Sequence, residues 1–215
     1  MAIVVDATSS GSTNADTSLT VAHTCTGSEL YLLVSVWTNQ TSITGVTYNG
    51  AAMTSLDSAA AVGGRKIYMW GLANPATGAN NIIATASGSG QIYLIGDSYT
   101  GCSDAQPDGF SNGTVSNQAS IVGTVTVNTD NSWTVMGVVS AIDDNLGAGS
   151  EGAGTTLRKQ GISNHSVYDS GGALATGAQT LTATLTASQT DDMGQVIVSL
   201  APSGEETETG YSYFM

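Results

Sequence analysis

The chain has 215 residues, with 4 lysine and arginine residues against 17 aspartate and glutamate residues and a formal net charge of −13. A chain this acidic has no electrostatic means of holding nucleic acid or an anionic membrane, so we exclude both as partners. The length predicts one large domain, or two small ones, with enough residues to bury a sizeable core.

The start of the chain and its cysteines indicate the compartment. Met1–Val5 is followed at once by Asp6, with no basic region and no long apolar run. We therefore expect no signal peptide, and no segment reaches the roughly 18 apolar residues of a membrane span. The protein would stay in the cytoplasm that made it or be released by lysis. Cys25 and Cys102 are too few for a disulfide framework, so we expect free thiols, with a single bridge as the alternative.

The first part of the chain predicts β-strands separated by turns, with no helical period. The strand candidates Ile3–Ala7 and Ser18–Thr24 flank a predicted loop at Gly11–Asp16. In Glu29–Met53, apolar side chains fall on both faces of the first strand, which predicts a strand covered on both sides. Asn49-Gly50 favours a type I′ hairpin turn. The two faces are Leu30, Leu32, Val34 and Val36 on one side and Tyr31, Leu33 and Trp37 on the other.

The rest of the chain continues the β pattern. Asp57–Gly64 reads as a small, flexible connection, and Thr100–Gly113 and Ile142–Gly154 read as long loops. We predict an all-β fold: an antiparallel two-sheet β-sandwich, jelly-roll-like, with about a dozen strands. The remaining candidates are Arg65–Leu72, Asn80–Ala86, Gln91–Tyr99, Ala119–Thr129, Ser132–Ala141, Thr155–Ser163, His165–Ser170, Gln179–Ala187 and Met193–Ala201.

Residues 202–215 differ in composition from the predicted sandwich domain at residues 1–201. Pro202 ends the last strand, and the acidic run Glu205–Glu208 follows. We interpret the piece as an acidic linker and an extended aromatic tail that docks on another subunit, against the alternative of a frayed terminus. The expected docking residues are Tyr211, Tyr213, Phe214 and Met215, together with Ile3, Val4 and Val5 as an intersubunit strand.

Two loops gather oxygen ligands of the kind that Ca²⁺ takes. Asp143, Asp144 and Glu151 lie in one, and Asp104 and Asp108 lie in the other. Neither has the order of an EF-hand or a nonapeptide repeat, and aspartate in a glycine-rich turn commonly serves the turn itself. Calcium at the first loop is therefore one hypothesis, and turn chemistry is the other.

Catalytic motifs are sparse, and we expect no enzymatic activity. A glycosidase needs two carboxylates in a cleft, and the pattern assigns no second carboxylate to the same sheet face as Asp97, which lies inside a predicted strand. His23 alternates with core residues, and His165 lies at a predicted hairpin tip, so neither supports a nucleophilic triad. The chain has no H-E-x-x-H motif and no cysteine pair with zinc spacing.

Four aromatic side chains could line a sugar-binding face if their two strands are neighbours. They are Tyr31, Trp37, Tyr68 and Trp70. The same pattern fits packing against a second sheet, which is the interpretation we favour.

Five stretches cover Ser18 to about Pro107 and the last strand. They read SLTVAHTCTGSELYLLVSVW, ITGVTYNGAAMT, RKIYMWGLANPATGANNIIAT, IGDSYTGCSDAQP and GQVIVSLAPS. Together they resemble a β-sandwich domain of phage virion structural proteins and bacterial surface proteins. The resemblance implies a sandwich fold and, in phage, head decoration, head fibre or tail-associated proteins, and it brings no catalytic residues.

Two functions remain in view. The favoured one is a non-enzymatic structural protein of a tailed-phage particle, located in the virion, that binds copies of itself and other virion proteins. The alternative is a carbohydrate-binding module, with or without Ca²⁺, that attaches to host or environmental polysaccharide. A wall-directed hydrolase would need two carboxylates that meet in a cleft.

Overall fold

A computed structural model of the protein describes residues 1–39, 42–60, 64–141, 146–162, 164–186 and 190–204. These residues form fourteen β-strands and no α-helix, so the predicted all-β class is confirmed. Within these ranges there is no helix that could cross a membrane. The strands are β1 Val4–Cys25, β2 Tyr31–Thr38, β3 Ile43–Tyr48, β4 Ala51–Ala52, β5 Thr54–Ala60, β6 Lys66–Ala73, β7 Gly78–Thr100, β8 Gly109–Gln118, β9 Ser120–Val127, β10 Trp133–Ser140, β11 Thr156–Ile162, β12 His165–Asp169, β13 Gly177–Thr184 and β14 Asp191–Leu200.

The described strands form three sheets where the sequence predicted two. The first sheet has the order β4-β3-β7-β2-β6-β5, with β1 also paired to β7. The second sheet has the order β11-β12-β10-β14-β8, and the third pairs β13 with β9. The pairings are antiparallel, as expected for a β-sandwich.

Two long strands give the first sheet its shape. β1 and β7 pair along almost their whole length, from Val4 opposite Thr100 to Cys25 opposite Gly78. One half of β7 also pairs with β3 and the other half with β2. Side chains from both halves share one hydrophobic core, so the sheet bends and its two halves face each other.

The predicted breaks in β1 and β7 are wrong. The residues at Gly11–Asp16 and Ser87–Gly90 belong to the two strands. Their small polar side chains are typical of turns, but here the register irregularities between Thr13 and Ser18 let the paired strands bend without ending.

Three hydrophobic cores separate the layers. The folded-sheet core lies between the two halves of the first sheet, the central core between the first and second sheets, and the outer core between the second and third. Strands β2 and β10 are buried at every position because a core covers each of their faces. Representative side chains are Val21, Leu32 and Leu94 in the folded-sheet core, Leu33, Ile95 and Val198 in the central core, and Met136, Leu181 and Ile197 in the outer core.

Local patterns were the most reliable predictors. The two faces of β2 divide between two cores as expected. Asn49 and Gly50 have φ angles of 49° and 78°, as a type I′ turn requires, and they join β3 to β4. Two segments were predicted to lack strands but contribute to them. Part of Asp57–Gly64, predicted as a flexible connection, belongs to β5, and part of Thr100–Gly113, predicted as a long loop, belongs to β8.

Candidate functional site

The N-terminal residues pair with the chain's own β7 along one edge. Val4 lies opposite Thr100 and Val5 opposite Tyr99 in the first sheet. Ile3 is 4% exposed and belongs to the central core. Among the described strands the other edge of β1 has no partner, so the intersubunit role of Ile3, Val4 and Val5 stays a prediction.

The two ends of the described chain are tied together at Ser203. The Met1 nitrogen donates to the Ser203 carbonyl oxygen at 2.8 Å and to its Oγ at 3.1 Å. Ser203 in turn donates from its backbone nitrogen to the Gly101 carbonyl at 2.8 Å and from Oγ to Glu29 Oε2 at 2.9 Å. These bonds fix the point from which the chain continues towards residues 205–215.

An apolar groove of about 550 Å³ opens beside this point. Its lining includes Ile3, Trp133, Ala173, Pro202 and Gly204, and we call it the Trp133 groove. The indole of Trp133 packs edge-on against Tyr99, with ring centroids 6.1 Å apart, which holds the base of the groove in the central core. The predicted docking residues Tyr211, Tyr213, Phe214 and Met215 lie outside the described residues.

The proposed sugar-binding face is wrong. Val34 lies opposite Trp70 and Val36 opposite Tyr68, so these two aromatic rings point into the folded-sheet core. The other two aromatic side chains point into the central core on the opposite side of the sheet. The exposed fractions are 2% for Tyr31, 1% for Trp37, 9% for Tyr68 and 8% for Trp70, which confirms the interpretation as core.

Of the three predicted calcium ligands in the first loop, the structure describes one. Asp143 and Asp144 lie outside the described residues. Glu151 is exposed, and its Oε2 accepts a hydrogen bond of 2.7 Å from the Gly149 nitrogen. No group of three or more histidine, cysteine, aspartate or glutamate side chains within the described ranges is placed to hold a metal ion.

The second acidic loop uses its carboxylates to bind segments that are distant in the sequence. Asp108 accepts hydrogen bonds from the backbone nitrogens of Asn128 and Thr129 at 2.7 and 3.1 Å. Asp104 accepts one from Asn74 Nδ2 at 2.9 Å. These carboxylates therefore connect their loop to two other turns of the fold.

A buried ionic cluster joins the first and second sheets, and sequence reasoning did not assemble it. Arg158 on β11 donates to both carboxylate oxygens of Asp169 on β12, at 2.6 and 2.8 Å. The Gly171 nitrogen and the Tyr99 hydroxyl also donate to Asp169, at 2.9 and 3.4 Å. Asp169 is fully buried, so this bidentate pair is the kind of charge that a protein interior tolerates only with such partners.

Asp97 completes this cluster without sharing its hydrogen bonds. It is 1% exposed, and its Oδ1 has no hydrogen-bond partner among the described residues. Burial raises the pKa of Asp97 to about 8, with a further rise from Asp169, whereas Arg158 and Lys159 act to lower it. Acid–base catalysis by two carboxyl groups takes place in a cleft that substrate can enter. Asp97 and Asp169 are instead both buried between sheets.

His165 lies next to the turn of the β11–β12 hairpin, as predicted, and it is buried in the same layer. It is the first residue of β12 and is 0% exposed. Its Nε2 lies 2.9 Å from Ser35 Oγ on β2. Burial lowers the pKa of His165 to about 3, so the ring is neutral in the folded protein.

A third polar cluster connects the two halves of β1. Ser98 Oγ donates to Asp6 Oδ2 at 2.7 Å and lies 3.1 Å from His23 Nε2, while His23 Nδ1 lies 2.9 Å from Ser9 Oγ. Because Ser98 uses its only proton on Asp6, the His23 proton must be on Nε2 and Nδ1 must accept from Ser9. The order of groups resembles a nucleophilic triad with one extra hydroxyl.

The surroundings of this cluster favour a structural role. His23 is 3% exposed, and burial lowers its pKa, with the charge of Asp6 offsetting part of the effect. Burial acts to raise the pKa of Asp6, but hydrogen bonds from Thr26 and Ser98 outweigh it and the pKa is lowered. The cluster thus provides hydrogen bonds for a buried histidine, which was correctly predicted to alternate with core residues.

Both thiols are free, as expected. Cys25 and Cys102 are buried, and they are not bridged. Burial raises the pKa of Cys102 to about 12, and it also raises the pKa of Cys25, so both groups are protonated and weakly reactive at neutral pH.

Comparison with known proteins does not add a relative. No protein-family model, no curated protein and no solved structure matches this chain.

Proposed function

We propose that this protein is a non-enzymatic structural subunit of a tailed-phage particle: a capsid decoration or fibre subunit, or another surface component of the virion. It binds copies of itself and other virion proteins through flat β surfaces and through residues 202–215. The resemblance described above supports the virion setting. We also propose that the two larger sheets are arranged as in a jelly roll.

One observation carries the assembly role: the described residues that precede the aromatic segment Tyr211–Met215 already fill three cores. The buried apolar residues of the described chain run from Ile3 to Ala201 and fill three cores between paired sheets. Each large apolar side chain of the segment would gain about 1.5–3 kcal/mol on full burial. Contact with another subunit provides that burial, and repetition over many copies turns it into avidity.

The first sheet offers a second surface for assembly. Among the described strands, β1 pairs only with β7, so one edge of a 22-residue strand faces away from the sheet. Bulges and the charges of Asp6 and Asp16 interrupt this edge, which limits uncontrolled strand pairing. A partner that packs against the faces of the sheets is therefore favoured over one that adds a strand to this edge.

The proposal predicts that removing residues 205–215 abolishes self-assembly and leaves the fold intact. Light scattering should show an oligomer for the 215-residue chain and a monomer for a chain ending at Gly204. The circular dichroism spectrum and melting temperature should agree between the two, because the cores lie within residues 3–201. If the shortened chain assembles like the parent, the aromatic segment is not the joint.

A further inference from the structure

The Trp133 groove has the position and the lining of a receptor for an apolar peptide segment. Ile3, Trp133, Ala173 and Pro202 give it apolar walls, and Gly204 lies on its rim. The segment Tyr211–Met215 carries four large apolar side chains and follows Gly204 after only six intervening residues. A groove of about 550 Å³ is within the range that binds compact ligands.

We propose that the Trp133 groove of one copy binds the segment Tyr211–Met215 of a second copy. This inference rests on the proposed function, because it names the surface to which the joining segment binds. Two copies would exchange their segments around a two-fold axis, with the same groove and the same segment used in both directions.

The length of the linker limits where the interface between the two copies can lie. An extended chain advances about 3.3–3.6 Å per residue, so Tyr211 can lie at most about 25 Å from Gly204. Because Gly204 is itself part of the groove, a partner's groove must lie within this reach. The two copies must therefore meet at the end of the molecule that carries Trp133 and Pro202.

Charge favours binding of the segment to a second copy over binding to the groove of its own copy. The linker contains Glu205, Glu206 and Glu208, and like charges so close together repel and extend a linker. If the linker turned back sharply into the groove of its own copy, it would bring the carboxylates of these glutamates close together. Glu29 and Asp104 line a neighbouring depression that shares Ser203 and Gly204 with the groove, and their negative charges repel the linker there.

The variant Ala173→Glu tests the groove in the 215-residue chain. Ala173 is exposed at the groove and lies outside the three cores, so the fold should tolerate glutamate there. A carboxylate facing the aromatic segment should weaken self-association at least about tenfold, measured by light scattering or sedimentation. The matched control is Ala52→Glu, at an exposed alanine that does not line the groove, which should associate like the parent.

A peptide titration tests the groove without relying on assembly. The peptide Gly210–Met215 is added to the chain ending at Gly204, which retains all three cores, and binding is followed by calorimetry. Saturable binding with one peptide per chain is expected. Ala173→Glu in the shortened chain should remove it, as should serine in place of Tyr211, Tyr213 and Phe214 in the peptide.

The outcomes separate this inference from the proposed function. If shortening abolishes assembly but Ala173→Glu does not, the segment is the joint and the groove assignment is overturned. If the shortened chain still assembles, the joining role fails, and the assignment falls with it even if the peptide binds. If the 215-residue chain is a monomer that excludes the peptide, its own segment fills the groove and exchange is overturned.

Discussion

Arg158→Met should lower the free energy of unfolding by about 3 kcal/mol at neutral pH, as measured by urea denaturation. Loss of one partner from a buried ion pair typically costs 3–5 kcal/mol, because the remaining charge stays buried without compensation. The lower end applies here since the Arg158 side chain keeps 21% of its surface exposed, while that of Asp169 keeps none. The Gly171 nitrogen and the Tyr99 hydroxyl still donate to Asp169, but neither supplies a positive charge.

A matched pair of variants isolates the ionic contribution. Lys159→Met removes an equal charge from the next position of β11 but leaves the bidentate pair intact, so its effect should be within about 1 kcal/mol. Asp169→Asn combined with Arg158→Met should be more stable than Arg158→Met alone, because no charge is then left without its partner. Equal losses for Arg158→Met and Lys159→Met would show that the bidentate pair contributes little to stability.

The elements that local sequence predicts well are those whose environment is set by near neighbours in the chain. In β2, apolar residues at every position indicate burial on both faces, and the structure encloses that strand between two cores. Asn49-Gly50 specifies its own turn through the backbone conformations that these two residues tolerate. Neither inference needs a distant partner, so both could be made from the sequence alone.

The elements that local sequence misses lie at sheet edges or depend on distant pairing. β5 and β8 are edge strands of the first and second sheets, and their exposed, polar positions weaken the alternating pattern. The middle of β1 is rich in serine, glycine and asparagine and becomes strand because β7, far along the chain, pairs with it. A propensity for turns was overridden by long-range hydrogen bonding.

The aromatic residues show why a site cannot be assembled from strand periodicity alone. Periodicity places Tyr31 and Trp37 on one face of β2 and Tyr68 and Trp70 on one face of β6, but it says nothing of the register between the strands. In antiparallel pairing, residues directly opposite each other share a face, and a shift of one residue reverses the relationship. The observed register sets Trp37 opposite Ile67, so the two aromatic pairs lie on opposite sides of the sheet.

The ionic cluster was missed for the same reason at a larger scale. Asp97 was recognised as an acidic residue inside a strand, but Arg158 and Asp169 lie on a hairpin of another sheet. Only the stacking of the first sheet on the second brings the three side chains together. A lone aspartate within an apolar strand nevertheless predicts a buried partner, and this signal was present in the sequence.

Stability should fall by about 2 kcal/mol between pH 6.5 and pH 8, because Asp97 holds its proton in the folded protein but not in the unfolded chain. Its pKa rises from 3.8 to about 8 on folding, so the unfolded state is increasingly favoured from about pH 4 up to pH 8. For His165 the pKa falls from 6.5 to about 3, which favours unfolding as the pH falls below 6.5. From pH 4 to 6.5 the two effects have opposite signs and offset each other, and above pH 6.5 only the effect of Asp97 remains.

Asp97→Asn tests this assignment because asparagine has nearly the shape of the protonated acid and cannot ionise. The variant should match the parent below about pH 4, where Asp97 keeps its proton in both the folded and the unfolded chain, and it should lose the decline between pH 6.5 and pH 8, so that it is the more stable protein at pH 8. Urea denaturation at intervals across this range measures the difference, with the exposed Asp16→Asn as the control that keeps the parent's profile. An identical decline in Asp97→Asn and the parent would assign the pH dependence to other groups. A flat profile for Asp97→Asn alone would identify the layer between the first and second sheets as the part of the fold that limits stability at alkaline pH.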